Sequence, residues 1–390
     1  MSFNKHAWIL ITGNALSLLG DQILLTSLMY LAARDTGSLL FTASFALLST
    51  LSLTLLGPVG GSFMDHRGSK LHLIGADLLR ALLLVLLVVF WTNPLQWPAV
   101  LGIMAGLSAL SGFFNPGFRA LMPLVVPRDH LLKFNSWNTT ATRVATLTGP
   151  LIGGLMVSSL GIQAALWLDA ASFVLSALCL IVLKVPRTSS PSRAPRKPVW
   201  SLLRNAALRR YLILASVVNA GISVFLLMLP AAALTFQQGG TVLGALQSSY
   251  QAGMLTAGVW LGVRQVQVQR ALGWGLALMA ASVLLFSVSA KLSLALAGAL
   301  CFGAALMFTS LLADTTLQKS IPSHQMAGGY GVVQSVSAAL RPFSIVLGGF
   351  LLDQVGLLWT GIMLTCLLLG TALFALLRTE PDPSPIESGL

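Results

Sequence analysis

Gly60-Gly61-Ser62-Phe63-Met64-Asp65-His66-Arg67-Gly68-Ser69-Lys70 stands between two long apolar runs, one ending at Met64 and the next beginning at Leu71. An acid, two cations and a glycine crowd into a few residues. Hydrocarbon cannot host such a cluster, so this loop belongs at a membrane face and the runs on either side belong inside the membrane. Gly60 and Gly61 remove side chains where two helices must come close. Further on, Asp77-Leu78-Leu79-Arg80 sets an acid and a cation three apart on one helix face, the spacing of a local pair.

Composition agrees. Of 390 residues, 56% are hydrophobic and 9% are charged, with a mean hydropathy of +0.84. Soluble chains carry about a quarter charged residues, so this chain lives in lipid. Twelve apolar stretches reach the length of roughly 20 residues that a crossing needs. They fall at about 7–32, 38–63, 71–92, 97–120, 134–158 and 163–184, then at about 210–235, 242–264, 271–290, 292–314, 328–352 and 356–377. Pro94, Gly161, Gly239-Gly240 and Gly356 mark breaks. The first stretch carries Asp21 and no small-residue cleavage site, which predicts a retained span. Cys179, Cys301 and Cys366 all lie in apolar stretches, where a packing role is expected.

Lys and Arg predict the orientation. One side holds Lys5, Arg67, Lys70, Arg119, Arg128, Lys133, Arg264, Arg270, Lys319, Arg378 and the cations between Lys184 and Arg210. The other holds Arg34 and Lys291, while Arg80, Arg143 and Arg341 lie within spans. This bias predicts cytoplasmic termini. The net charge of +12 then reflects topology and contact with anionic membrane lipids, without a nucleic-acid partner. Trp91, Trp97, Trp167 and Trp359 fall near the opposite span ends, as an interfacial belt should.

Pro186 to Pro198 is rich in proline, serine and cations, a composition that builds no core and reads as a tether. The expected organisation is an N-terminal six-helix bundle at 1–185, a cytoplasmic linker at 186–209, a C-terminal six-helix bundle at 210–378 and a cytoplasmic tail at 379–390. An internal repeat supports the division. Pro127, Gly154 and Gly161 recur as Pro322, Gly349 and Gly356, all at a shift of 195 residues. The fold class is therefore all-α integral membrane, with twelve transmembrane helices in two pseudo-symmetric bundles.

The loop at Gly61 to Lys70 resembles the signature between the second and third spans of the major facilitator superfamily. Gly61, Asp65, Gly68 and Lys70 match in register, Arg67 stands one place late, and Ser69 replaces a usual cation. Gly149-Pro150-Leu151-Ile152-Gly153-Gly154 in span five is similar to the core of the motif of proton-driven exporters in that superfamily, with Ala145 where the motif has an upstream glycine. Phe114-Asn115-Pro116, Leu121-Met122-Pro123, Val126-Pro127 and Leu168-Asp169-Ala170 resemble the branch that includes macrolide-efflux and enterobactin-export proteins. The resemblance implies two halves rocking about a shared substrate site, in the inner membrane of a bacterium. It favours export over uptake.

Charges within spans are the functional candidates, because each costs several kcal/mol unless paired or wetted. Asp21 lies near mid-membrane and is the candidate for proton coupling, the alternative being a permanent ion pair with Arg143 or Arg341. Arg143 and Arg341 either meet anionic cargo in a cavity or balance Asp21 and Asp169. The signature residues Gly61, Asp65, Arg67, Gly68 and Lys70 form the expected cytoplasmic gate, joined by Arg119 and Asp314, again 195 apart. Milder cavity candidates are Asn14, Asn115, Asn219, Tyr250, Gln251, Gln334, Met228 and Met307. All five histidines fall on the cytoplasmic side, so none suggests a mid-membrane relay.

Enzyme readings find no support: the chain has no nucleophile elbow, phosphate loop, Cys-x-x-Cys or metal-spaced histidine pair. No cofactor and no metal are expected. The reading is a monomeric, proton-coupled exporter of amphipathic small molecules, of drug, macrolide or siderophore class. The alternative is a lipid or lysolipid mover, or a solute importer of the same fold.

Overall fold

The computed structural model describes residues 5–67, 69–90, 96–126, 130–183, 206–236, 239–263, 268–320 and 336–377. Helices occupy the apolar stretches: α1 (Lys5–Thr36), α2 (Leu39–Arg67), α3 (Ser69–Val89), α4 (Trp97–Val125), α5 (Leu131–Ser159), α6 (Ile162–Val182), α7 (Ala206–Ala233), α8 (Gly239–Val263), α9 (Val268–Ser287), α10 (Leu292–Ser320) and α11 (Arg341–Leu377). Lipid offers no partner for backbone polar groups, so an apolar chain of this length must satisfy them internally, and the helix does so. Among the described residues, seven helical stretches are long and apolar enough to cross a bilayer. Most of the expected linker, the tail and the stretch 321–335, with Gly328 and Gly329, lie outside the described residues.

Leu78, Leu79, Leu82, Leu86 and Val89 of α3 and Leu175, Leu178 and Ile181 of α6 are exposed. In water such stripes would aggregate; in a bilayer they are the surface the solvent demands.

The chain groups into two compact units. The first comprises residues Met1–Gly37, Ser44–Ser192 and Ala233–Ser248, the second Ser38–Ala43, Arg193–Ala232 and Ser249–Leu390. In the first, α1 packs on α5 and α6, and α3 packs on α4 and α6. Leu10, Leu73, Phe114, Phe118, Leu121 and Phe134 form part of its core. In the second, α9 packs on α10 and α11. Its core holds an aromatic group in which Phe225 stacks on Phe302 at 3.7 Å and meets Phe286 edge-on at 5.2 Å. Also in the second unit, Asp353 of α11 caps the start of α2, accepting from Leu39 N–H at 2.6 Å, Leu40 N–H at 3.1 Å and Ser38 Oγ at 2.7 Å. A carboxylate at a helix N-terminus satisfies free donors and the helix dipole together.

Two expected breaks have a backbone cause. Gly161 sits at φ 79°, ψ 174°, and Gly356, which divides α11 into two arms, at φ 79°, ψ 178°. Side chains resist that region, so glycine marks both corners.

Candidate functional site

The strongest concentration of charge lies in the first unit, where α1, α3 and α6 meet. Arg80 Nη1 donates to Asp77 Oδ1 at 3.2 Å, and both side chains are almost fully enclosed. The i,i+3 pair read from spacing is thus present, but it has company. Asp169 of α6 is completely buried, and Asp21 of α1 is half-buried. Arg80 interacts electrostatically with Asp21, Asp77 and Asp169 alike. Gly20 explains how α1 comes so near: an added Cβ there would fall 2.5 Å from Ser172 Oγ and closer still to Asp169 Oδ1.

Hydrogen bonds satisfy only part of this cluster. Ser172 Oγ donates to Asp169 Oδ1 at 3.1 Å. Asp77 Oδ2, Asp169 Oδ2 and Arg80 Nε have no hydrogen-bond partner among the described residues. The guanidinium also lies 4.7 Å from the Phe114 ring centroid and 5.2 Å from that of Phe173, a favourable setting for a desolvated cation. One guanidinium faces three acids, so Arg80 by itself cannot neutralise the group. Arg80, rather than Arg143 or Arg341, is the cation whose charge acts on Asp21.

Arg341 sits elsewhere. In the second unit its Nε donates to Asn219 Oδ1 at 2.9 Å, and a terminal nitrogen donates to the same oxygen. Asn219 Nδ2 in turn donates to Ala215 O at 2.8 Å, which fixes the amide. These side chains line a cavity of about 300 Å³, together with Tyr250, Thr309, Ser310 and Ser337 and a mostly apolar remainder. Arg143 is half-buried on α5, and Asn14 donates to Asn138 at 3.2 Å in the first unit.

The Gly-Pro-x-x-Gly-Gly stretch of α5 is a seam for two neighbours, both within the first unit. An added Cβ at Gly149 would fall 2.6 Å from Gln22 Cβ, and one at Gly153 2.5 Å from Ile23 O. On its other flank, an added Cβ at Gly154 would collide with Gly240 O and stand 3.1 Å from Gly244 Cα. Pro150 removes one backbone donor from α5, and Ser248 Oγ donates to Leu147 O at 2.7 Å nearby.

Of the expected gate residues, Gly68 lies outside the described residues, as do the side chains at Gly61, Asp65, Arg67, Arg119 and Asp314. Gly61, Asp65 and Arg67 fall on the last turns of α2, Arg119 on α4 and Asp314 on α10. Lys70 is described, and it caps a helix: Nζ donates to Ile181 O at 2.9 Å and Leu183 O at 2.6 Å, where α6 ends. A cation there meets free carbonyls and the negative end of the dipole. Lys70→Gln is therefore expected to cost about 1 kcal/mol, with Lys70→Arg near wild type. Thermal unfolding of the purified proteins checks this, and an unchanged midpoint for the glutamine variant would remove the cap.

Sequence spacing gave no hint that Asp169 joins Asp21 and the Asp77–Arg80 pair. The available signal was that three acids and an arginine all fall within predicted spans, each needing a partner in the same hydrocarbon.

A family model described as Major Facilitator Superfamily matches residues 10–345. The chain is 22% identical over 379 residues to macrolide efflux protein A of Streptococcus pyogenes, covering 91% of this chain and 92% of that protein. It is 25% identical over 389 residues to multidrug efflux pump Tap of Mycolicibacterium fortuitum, covering 90% of each. Among solved structures it is similar to the nucleoside transporter NupG, with a TM-score of 0.77 at 11% identity over 97% of this chain and 100% of that one. A bacterial homologue of the iron transporter ferroportin, in its inward-facing state, gives a TM-score of 0.74 at 15% identity, over 97% of this chain and 100% of that one.

Proposed function

Because the chain belongs to the Major Facilitator Superfamily, we propose that it is a proton-coupled exporter of amphipathic small molecules that works by alternating access. It is a secondary transporter in a bacterial membrane, with small-molecule cargo and lipid around it, and not an enzyme. The efflux named in two relatives supports the outward direction. The observation that carries the coupling is the buried trio of Asp77, Asp169 and Arg80 with the half-buried Asp21 beside it.

Charge accounting in hydrocarbon supplies the mechanism. Isolated ions there cost several kcal/mol each, so three acids around one guanidinium approach neutrality only if protons share the site. Any change in proton occupancy shifts the forces on α1, α3 and α6 together. Asp21 retains some exposed surface while Asp77 and Asp169 have none, so Asp21 is the member that exchanges protons with the outside. The exporter is a monomer in the inner membrane, with twelve spans in bundles at 1–185 and 210–378 and cytoplasmic termini. Gly61, Asp65, Arg67, Gly68, Lys70, Arg119 and Asp314 form its cytoplasmic gate.

The test is vesicle transport of a labelled macrolide by wild type and Asp21→Asn. The variant is expected to lose at least about tenfold of the efflux driven by a proton gradient, while cargo exchange without a gradient persists. Gradient-driven efflux at the wild-type rate would overturn the coupling assignment. Movement of headgroup-labelled lipid that ignores the gradient would replace export with lipid transfer.

A further inference from the structure

We propose that the cavity among α7, α8, α9, α10 and α11 binds an amphipathic anion, with Arg341 taking the charged head and the apolar walls taking the body. In calling this ligand cargo the inference rests on the transport reading above; the binding itself does not.

Charge comes first. Among the described lining residues Arg341 is the only ionised side chain, and no acid is among them. The two bonds to Asn219 satisfy donors, but a neutral amide contributes no countercharge. A guanidinium carries five N–H groups, so three remain beyond those two. A half-buried cation held by a neutral acceptor is an incomplete site, and carboxylates, sulfonates and phosphates complete it with paired hydrogen bonds.

Geometry supports the same reading. The Asn219 amide is locked by its bond to Ala215 O, so it holds the guanidinium in one place before a ligand arrives. Such preorganisation removes part of the ordering cost of binding. Tyr250 is buried and lines the same cavity. Leu276, Leu306 and Met254 supply apolar wall. A volume of about 300 Å³ suits a small amphiphile, with a few polar groups fixing orientation and apolar surface providing contact. A ligand cation of equal size would meet like charge with no acid among the described lining residues to answer it.

The experiment uses the full-length protein in phosphatidylcholine nanodiscs, titrated with octanoate and with octylammonium, which share an apolar body. Octanoate is expected to bind at least about tenfold more tightly, and Arg341→Gln to weaken it by about tenfold or more, with Arg341→Lys recovering part. Equal affinity for the two probes, or undiminished octanoate binding by Arg341→Gln, overturns the proposal. If Arg341→Gln does not fold, Ser310→Trp carries the test by filling the cavity: loss of octanoate binding supports the site, and unchanged binding removes it. Repeating the titration with phosphatidylglycerol in the discs separates two sources of the same chemistry. Competition by that lipid identifies a headgroup as occupant, and its absence identifies a free amphiphile. Octanoate binding without gradient-driven efflux of either octanoate or a macrolide from vesicles would refute the transport reading alone, and gradient-driven efflux without octanoate binding would refute this inference alone.

Discussion

Arg80→Leu is expected to deplete folded protein sharply, with a loss of about 3–5 kcal/mol, the scale for stranding one partner of a buried pair. The reason lies in what the substitution leaves behind. Asp77 and Asp169 are fully enclosed, and Asp21 shares their field, so removing the cation leaves three acids in hydrocarbon. The stacking of the guanidinium near Phe114 and Phe173 is lost as well. Adding Asp77→Leu should restore part of the stability, since replacing a whole pair with apolar groups is close to neutral. Thermal unfolding and the monodisperse yield of the two variants decide the matter. A single variant that melts with wild type would mean that Arg80 does not hold this cluster together.

Gly253→Ala and Gly303→Ala are each expected to cost about 3 kcal/mol or more, a large effect for one methyl group. An added Cβ at Gly253 would overlap Leu300 O, and one at Gly303 would overlap Tyr250 O. These obstacles are backbone atoms of α10 and α8, so no rotamer change relieves them. The helices would have to part, pulling Tyr250 away from Phe302 and loosening the aromatic core around Phe225. Gly75→Ala, Gly102→Ala and Gly370→Ala serve as controls: an added Cβ at each meets nothing within 4 Å among the described residues. They should be neutral or stabilising by up to about 1 kcal/mol through helix propensity. If all five variants melt alike, close backbone contact is not what joins α8 to α10.

The helical stretches were legible in the sequence because hydropathy measures what lipid selects. The corners at Gly161 and Gly356 were legible because a backbone angle tied to glycine leaves its trace in the residue itself. Depth along a helix could be counted too, which is why Asp21 stood out. What could not be read was the direction each helix faces. A span such as α1 carries its few polar residues with little one-sided bias against the apolar ones, so the pattern does not separate the side toward protein from the side toward lipid. Arg143 and Arg341 were therefore the expected partners of Asp21, and Arg80 was expected to pair with Asp77 alone. Only the packing of α1 on α6, permitted by Gly20, brings Asp21 into the field of Arg80 and Asp169. Lys70 shows a related limit. Its place in the loop signature was visible, but the end of α6 that it caps is more than a hundred residues away in the chain.

The corner at Gly161 and its counterpart at Gly356 share a φ of 79° and differ by only a few degrees in ψ. The two corners lie 195 residues apart, the shift at which the internal repeat runs, so the bend recurs together with the letters. The two glycines therefore form a ruler for aligning the two repeats, and natural seams at which a stretch of one could be spliced into the other.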